Sequence, residues 1–223
     1  MSPRTFAGAT LGARFDAALA YAVDAHRLDV RKVSNVPYVG HLLGVCSLVL
    51  ENGGDEVEAS AALLHDVAED HGGTETLAEV ERRCGPEVRA IVENCSDSFE
   101  PEGAEKKPWL ERKQRYIAHL AALAGAPEGN ESTLLVSAAD KLYNLRTIRD
   151  DRVRLMPDGD SVYERFSAKK WGTLWYYRAL ADVYGRFPGR HRAILARELD
   201  VLVDELSGGR SAGELLHRYE HNA

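Results

Sequence analysis

Residues 55–70 have the sequence DEVEASAALLHDVAED, and this stretch predicts a helix with a buried middle and a charged end. Asp55 is a suitable N-cap, because its carboxylate can accept hydrogen bonds from the first free backbone N–H groups. The His-Gly-Gly at 71–73 would end the helix, since glycine readily adopts the backbone conformation of a helix C-terminus. The apolar residues 61–64 indicate burial in a core.

Helical periodicity extends along most of the chain. In residues 11–27, for example, apolar side chains recur at the spacing of one helix face. The predicted helices are residues 11–27, 37–51, 55–70, 74–85, 86–97, 108–124, 132–150, 167–186 and 189–206, with a short helix near the end. Residues 97–108 are predicted to form a loop, and residues 155–161 a turn. Because no segment shows sustained strand-like alternation, the sequence predicts an all-α fold.

Composition restricts the class of protein. Of the 223 residues, 44% are hydrophobic and 28% are charged, which is typical of globular domains and excludes wholesale disorder. The longest nearly apolar run, residues 42–50, is shorter than the roughly 20 residues of a membrane span, and no secretory signal is evident. Three cysteines without CxxC spacing predict reduced thiols and a cytoplasmic protein.

Charge is unevenly distributed along the chain. The net charge of −7 argues against general nucleic-acid binding, which depends on neutralising phosphates. Residues 51–105 contain 16 acidic residues and 3 arginines, whereas residues 141–192 contain 12 basic and 6 acidic residues. This gradient is compatible with two solvated faces, or with an acidic half that holds a cation beside a basic half that meets a phosphorylated small molecule.

The acidic end of the 55–70 helix is the densest cluster of reactive side chains. Asp66, Glu69 and Asp70 are spaced i, i+3 and i+4, so a continuous helix would place them on one face, with His65 at its edge. Like charges at this spacing repel, and a bound cation or protonation would relieve the repulsion. A solvated acidic helix end is the alternative, but the apolar residues 61–64 argue against it.

Two more residues could complete a metal site. His41 lies in the most apolar predicted helix, where a histidine that simply packs in the core is the alternative interpretation. Asp140 follows two alanines in the middle of a helix, an unfavourable position for an unpaired carboxylate. Two imidazoles and two carboxylates together would suit Mn²⁺, Fe²⁺ or Zn²⁺ and would leave positions open for water and substrate.

Three blocks of sequence carry a specific resemblance. They are RKVSNVPYVGHLLGV (31–45), AALLHDVAED (61–70) and AADKLYNLRTI (138–148). In order and spacing they resemble the HD-domain metal phosphohydrolases, in particular the hydrolase domain of RelA/SpoT-type alarmone enzymes and the stand-alone small alarmone hydrolases. The resemblance implies one HD-type helical bundle over residues 1–223, with a motif-bearing core at about 8–150 and a helical C-terminal extension at about 160–222.

The resemblance also implies roles for individual residues. The metal, Mn²⁺ in the family, would bind His41, His65, Asp66 and Asp140. The paired acids that handle the attacking water would be Glu69 and Asp70. The substrate would contact Arg31, Lys32, Arg112, Lys113, Asn144 and Thr147. Relative to the family, this chain has one extra residue between Lys32 and His41, a glycine at 40 and a histidine at 71 in place of a common threonine.

The residues themselves leave other interpretations open for the substrate contacts. Residues 31–32 could be a surface loop, and residues 112–113 the exposed face of a helix. The aromatic residues at 109, 171 and 175–177 are better explained by helix packing than by base stacking.

The implied function is metal-dependent removal of the 3′-diphosphate from guanosine tetra- and pentaphosphate. The partner would be a small nucleotide, with neither nucleic acid nor membrane involved; the sequence fixes neither the oligomeric state nor the preferred base. One rival is the same chemistry on another nucleotide, such as a 3′-pyrophosphorylated adenosine nucleotide or the ribose phosphate of a cofactor. The other is a non-catalytic nucleotide-binding module.

Overall fold

Helices account for most of the structure, a computed structural model that describes residues 10–31, 35–97, 107–126, 130–186 and 192–222. In chain order they are α1 (Ala13–Ala25), α2 (Val39–Glu51), α3 (Glu56–Leu64), α4 (Val67–Asp70), α5 (Gly73–Cys84), α6 (Pro86–Cys95), α7 (Trp109–Gly125), α8 (Glu131–Arg154), α9 (Lys169–Tyr184), α10 (Arg192–Ser207) and α11 (Ala212–Asn222), with a 3₁₀ helix at Gly159–Arg165. Within the described ranges the extended backbone is limited to one isolated bridge, between Val30 and Pro37. The predicted all-α fold is confirmed.

Helix α3 lies at the centre of the bundle. Its N-terminus has the predicted cap: the Asp55 carboxylate accepts from the backbone N–H of Glu58, and the Glu58 side chain accepts from the backbone N–H of Asp55. Residues 59–64 are all buried, and the helix packs against α1, α2, α6 and α8. A helix that is capped at its N-terminus and buried over its last six residues therefore leads directly into His65.

The long helix α8 connects the N-terminal and C-terminal parts of the fold. It packs against α2, α3 and α6 on one side and against α10 on another, while α9 packs against α7, α10 and α11. The buried apolar residues form one core cluster, from Ala18 in α1 to Leu215 in α11. The C-terminal helices thus share their core with the helices that carry the sequence motifs.

Helices α2 and α8 approach each other closely at Gly44. A Cβ atom at this position would overlap the ring of Tyr143, so only glycine leaves room for that ring. The Tyr143 ring in turn lies against His41, with ring centroids 5.2 Å apart. Gly44 in α2 therefore allows the Tyr143 ring of α8 to lie beside His41.

The prediction of one continuous helix over residues 55–70 is wrong. Helix α3 ends at Leu64, and the single turn α4 begins at Val67. The ring of His65 donates through Nδ1 to the carbonyl of Ala62 at 2.8 Å, an oxygen that the N–H of Asp66 would use in a continuing α-helix. Asp66 has φ −95° and ψ −11°, so the chain turns at the point where the site residues begin.

Smaller differences concern helix ends. Helix α5 begins at Gly73, one residue earlier than predicted, after Gly72, whose φ of 103° favours glycine. The predicted turn at 155–161 runs into the 3₁₀ helix. Most of the predicted loop at 97–108 lies outside the described residues.

Two expectations from composition, on the cysteines and on membrane-spanning helices, can be compared with the structure. All three cysteines are free thiols, as predicted. Among the helices of the described ranges, none combines the length and apolar character that crossing a membrane requires.

Candidate metal centre

Four of the predicted side chains converge on one point inside the bundle. His41 comes from α2, His65 and Asp66 from the break between α3 and α4, and Asp140 from the middle of α8. The Nε2 atoms of the two histidines are 3.3 Å apart. Oδ2 of Asp66 lies 3.4 Å from the His41 nitrogen and 3.0 Å from the His65 nitrogen, and Oδ1 of Asp140 lies 3.3 Å and 3.5 Å from the same two atoms.

One ring nitrogen of His65 is held by the backbone, because Nδ1 donates to the Ala62 carbonyl. The other nitrogen, Nε2, faces His41 and the two carboxylates and is therefore the one that can bind a metal. An imidazole held through its outer nitrogen by a backbone carbonyl is typical of histidines that bind divalent cations. Separations of 3.0–3.5 Å match the ~3.0–3.4 Å expected between neighbouring donors bound at about 2.1 Å. The donor set therefore fits a metal such as Mn²⁺, Fe²⁺ or Zn²⁺.

The two carboxylates are oriented by neighbouring side chains. Tyr38 donates a 2.6 Å hydrogen bond to Oδ2 of Asp66. On the other side, Lys141 is ion-paired with Oδ2 of Asp140, and Asn144 donates to Oδ1 of Asp140. Such supporting contacts fix the direction of a ligand oxygen and strengthen metal binding.

Electrostatics keep Asp140 ionised despite its burial. Desolvation would raise the pKa of this carboxyl, but Lys141 and the two histidines hold the pKa well below its ordinary value. Asp140 is only 4% exposed, so an ionised carboxylate at this depth requires positive partners.

Glu69 and Asp70 follow Asp66 on the single turn of α4. Glu69 is partly buried, and this desolvation, together with the negative charge of Asp97, raises its pKa to about 7. Asp70 is exposed and lines the adjacent cavity. The two acids thus differ in environment, although the sequence presents them as a uniform pair.

A cavity of about 640 Å³ opens beside these residues, within the usual range for small-molecule sites. Three predicted substrate residues line it: Arg31, Asn144 and Thr147. Arg31 also donates a 2.9 Å hydrogen bond to Oδ1 of Asn144, which links the cavity wall to Asp140. The other described lining residues are Leu28, Asp29, Val30, Tyr38, Asp70, His71, Ile148, Asp151, Arg165, Phe166 and Tyr177.

The remaining predicted substrate residues are placed differently. Arg112 and Lys113 both form ion pairs with the buried carboxylate of Asp97, Arg112 at 2.5 Å. They are neither the exposed helix face considered from the sequence nor among the described residues that line the cavity. Lys32 falls outside the described residues.

The aromatic residues mostly pack, as the sequence suggested. Trp175 and Tyr176 are buried, and Trp109 makes edge-to-face contacts with both. Tyr177 is also buried but reaches the cavity wall.

Tyr38, Lys141 and Asp97 also belong to the site, although the sequence did not single them out. Tyr38 and Lys141 lie inside the quoted motif blocks, Lys141 directly after Asp140 and Tyr38 three residues before His41, so their positions gave a local signal. Asp97 gave none, because its pairing with Arg112 bridges 15 residues of chain.

Comparison with known proteins identifies the family. The sequence profile described as HD domain matches residues 18–174. The chain belongs to the HD-domain family. Guanosine-3′,5′-bis(diphosphate) 3′-pyrophosphohydrolase MESH1 from Xenopus tropicalis is 36% identical over 142 residues, which cover 62% of this chain and 69% of that protein. The human protein of the same name is 35% identical over 154 residues, covering 68% and 76%.

A solved structure has the same HD-domain architecture. It is described as "A metazoan ortholog of SpoT hydrolyzes ppGpp and plays a role in starvation responses". The two chains superpose with a TM-score of 0.62 at 28% sequence identity, covering 90% of this chain and 97% of the other. The family expected from the three sequence blocks is thereby confirmed.

Proposed function

We propose that this HD-domain protein hydrolyses guanosine 3′,5′-bis(diphosphate) and the corresponding pentaphosphate at the 3′-position and releases pyrophosphate. The observation that carries the proposal is the convergence of His41, His65, Asp66 and Asp140 beside a cavity lined by Arg31. The names of the MESH1 relatives and the description of the solved neighbour support the choice of substrate.

In this proposal the four converging side chains hold a divalent ion, Mn²⁺ by resemblance to the family. When bound, the ion would supply a Lewis acid that makes water more acidic and polarises a phosphoryl oxygen. Tyr38 keeps Asp66 turned inward, while Lys141 and Asn144 do the same for Asp140. These contacts let the chain preorganise the donors before an ion arrives.

Glu69 and Asp70 are proposed to orient the attacking water and accept its proton. The water oxygen forms a bond to the phosphorus attached to the ribose 3′-oxygen, and the bond between that phosphorus and the 3′-oxygen breaks. The proton lost by water is taken up by a carboxylate, and the 3′-oxygen gains a proton on leaving. From the tetraphosphate the products are guanosine 5′-diphosphate and pyrophosphate.

Arg31, Asn144 and Thr147 are proposed to contact the nucleotide from the cavity wall. Arg31 can neutralise phosphate charge, because its guanidinium offers several donors and uses only part of them on Asn144. Arg112 and Lys113 are proposed to act on the diphosphate only if Asp97 releases them, since both now pair with that carboxylate. Lys32 keeps its proposed role from the family resemblance alone.

The test is turnover of the purified full-length protein with guanosine tetraphosphate and Mn²⁺. Pyrophosphate and orthophosphate are detected separately, and a parallel sample is stripped with chelator. Release of pyrophosphate that disappears on stripping and returns with Mn²⁺ is the expected result. Full activity in the stripped sample plus chelator would overturn the metal-hydrolase assignment.

A nucleotide panel separates the remaining possibilities. Faster turnover of 3′-pyrophosphorylated adenosine nucleotides, or release of orthophosphate from a cofactor's ribose phosphate, would assign the same centre to another substrate. Tight binding of every nucleotide without turnover would identify a binding module. Fe²⁺ and Zn²⁺ are tested in the same assay.

A further inference from the structure

We propose that His26, Asp29 and His71 form a second divalent-metal site, separate from the first and open to the cavity. Nδ1 of His26 and Nε2 of His71 each lie 2.8 Å from Oδ2 of Asp29, and the two nitrogens are 3.2 Å apart. The three donors converge on one small space from two segments, the turn after α1 and the end of α4. The inference does not depend on which reaction the protein catalyses.

The contact between the two imidazoles favours a cation. Both ring nitrogens face the same carboxylate oxygen, so hydrogen bonding alone would bring two N–H groups together at 3.2 Å. With both nitrogens deprotonated, the lone pairs and the carboxylate point at a common centre. Tetrahedral donors at about 2.0–2.2 Å from a metal lie roughly 3.3–3.6 Å apart, so the Asp29 oxygen and the two imidazoles would have to separate by about 0.5 Å when an ion binds.

Taken together, the three side chains of the proposed metal site are partly accessible to solvent. The side chain of His26 is fully buried, whereas those of Asp29 and His71 are 38% and 34% exposed. Burial lowers the pKa of His26 and so favours the neutral imidazole. Its Nε2 has no hydrogen-bond partner within the described residues. No contact at Nε2 therefore determines whether Nδ1 or Nε2 carries the proton. A neutral, rigid ligand is thus paired with two residues that solvent can reach.

The backbone holds the cluster in place without a metal. His26 caps the end of α1 by bonding back to Ala22, and the backbone N–H of Tyr38 donates to the Asp29 carbonyl at 2.9 Å. The Tyr38 ring stacks on His26 with centroids 4.9 Å apart.

The donor set defines the class of ion. Two imidazoles and one carboxylate are the ligands of open zinc sites, in which a fourth position remains for water or a substrate oxygen. Asp29 and His71 both line the cavity, so the fourth position would face the bound small molecule. Hard ions such as Mg²⁺ prefer oxygen ligands and would not compete.

The two sites are neighbours but share no ligand. Tyr38 stands between them: its ring contacts His26, and its hydroxyl bonds to Asp66 of the first site. A variant in either site can therefore be made while all ligands of the other are retained. The number of metal ions bound per chain therefore reports on each site separately.

The experiment is zinc titration of the full-length chain, without affinity tag, after removal of metal by chelator. Calorimetry and elemental analysis count bound zinc in the wild type, His71→Ala and Asp29→Asn, with His65→Ala to remove the first site. We expect two equivalents in the wild type and one in each variant. Two variants at partly exposed positions are used in case one of them has a folding defect. The melting temperature of each variant would reveal such a defect.

His217→Ala is the matched control, because His217 and His221 form an exposed pair with ring centroids 4.0 Å apart that could bind zinc adventitiously. This control should retain both equivalents. One equivalent in the wild type, or two in both His71→Ala and Asp29→Asn, would overturn the second site. Loss of the second equivalent in His217→Ala instead would assign that zinc to the surface pair.

Discussion

The hydroxyl of Tyr38 donates a 2.6 Å hydrogen bond to Oδ2 of Asp66, the same oxygen that faces His41 and His65. Tyr38→Phe should keep the fold but weaken metal binding at the first site by about 10- to 100-fold, as the loss of a ligand-orienting contact generally does. The measurement is metal affinity by titration. Tyr143→Phe is the control, because among the described residues the Tyr143 hydroxyl bonds to the Gly40 carbonyl, at 3.3 Å, and to no proposed metal ligand. Equal affinities in both variants would contradict the proposed role of Tyr38.

His65→Ala should abolish both tight metal binding at the first site and turnover. The substitution removes one of four donors and leaves His41 as the single imidazole beside the carboxylates of Asp66 and Asp140. Metal content and activity are measured on one preparation. His119→Ala, an exposed histidine on α7, should change neither quantity, and a fully active His65→Ala would contradict the proposed ligand set.

The double variant Glu69→Gln with Asp70→Asn should retain metal and lose about 10²–10⁴-fold in rate, the usual contribution of general-base assistance. The amides are nearly isosteric with the acids and relieve repulsion between two neighbouring charges, so the melting temperature should hold or rise. Metal content, melting temperature and turnover decide the outcome. Loss of metal together with rate would make these acids ligands, whereas nearly normal turnover would place the proton acceptor elsewhere, with His71 the next candidate.

Arg31→Ala should lower kcat/KM by about 10- to 100-fold while metal content stays unchanged. A hydrogen bond to a charged group contributes about 1.5–3 kcal/mol, and roughly 1.4 kcal/mol corresponds to a factor of ten. Arg82→Ala, which loses only an exposed ion pair with Glu79, is the matched control. Wild-type kinetics in Arg31→Ala would contradict contact with the substrate and would leave this arginine only its hydrogen bond to Asn144.

Asp97→Asn should destabilise the fold by about 1–3 kcal/mol at pH 7, because Arg112 and Lys113 lose a buried charged acceptor. Burial would raise the pKa of Asp97, but these two cations and Lys141 lower it below its ordinary value. A depressed pKa stabilises the folded state above the unfolded-state pKa near ~3.9, and this contribution is lost as pH falls through the folded-state pKa.

Denaturant unfolding of the wild type and Asp97→Asn at pH 7, 5 and 3 checks both parts. Because Asp97 also raises the pKa of Glu69 to about 7, the pH dependence is compared from pH 5 downwards, where Glu69 no longer affects it. The difference between the two proteins should be present at pH 5 and should shrink below about pH 4. A difference that is absent at pH 5, or that grows from pH 5 to pH 3, would contradict the ion-pair account.

The sequence alone determined the helical fold and which side chains to examine. Helix formation depends on local spacing of apolar residues and on caps such as Asp55, so the helices were predictable to within a few residues at most ends. The three short motif blocks were sufficient to indicate the HD-domain family. The roles of the proposed ligands and substrate contacts, and the single domain over residues 1–223, remain predictions.

Tertiary structure decided what local spacing cannot encode. The helix predicted to continue through Asp70 breaks because the ring of His65 takes the carbonyl of Ala62, a choice made when that ring is buried against α2 and α8. Arg112 and Lys113 face Asp97 rather than the cavity because packing of α7 brings them to a carboxylate that is distant in sequence.

The cluster of His26, Asp29 and His71 is the clearest example of an arrangement that depends on long-range packing. In the sequence, His71 was part of a helix-ending His-Gly-Gly and a departure from the family, and His26 lies 45 residues away. No periodicity links the two positions, since they meet only when the end of α4 packs beside the turn after α1. Local sequence thus fixed the helices and the donor types, whereas long-range packing fixed which donor atoms face one another.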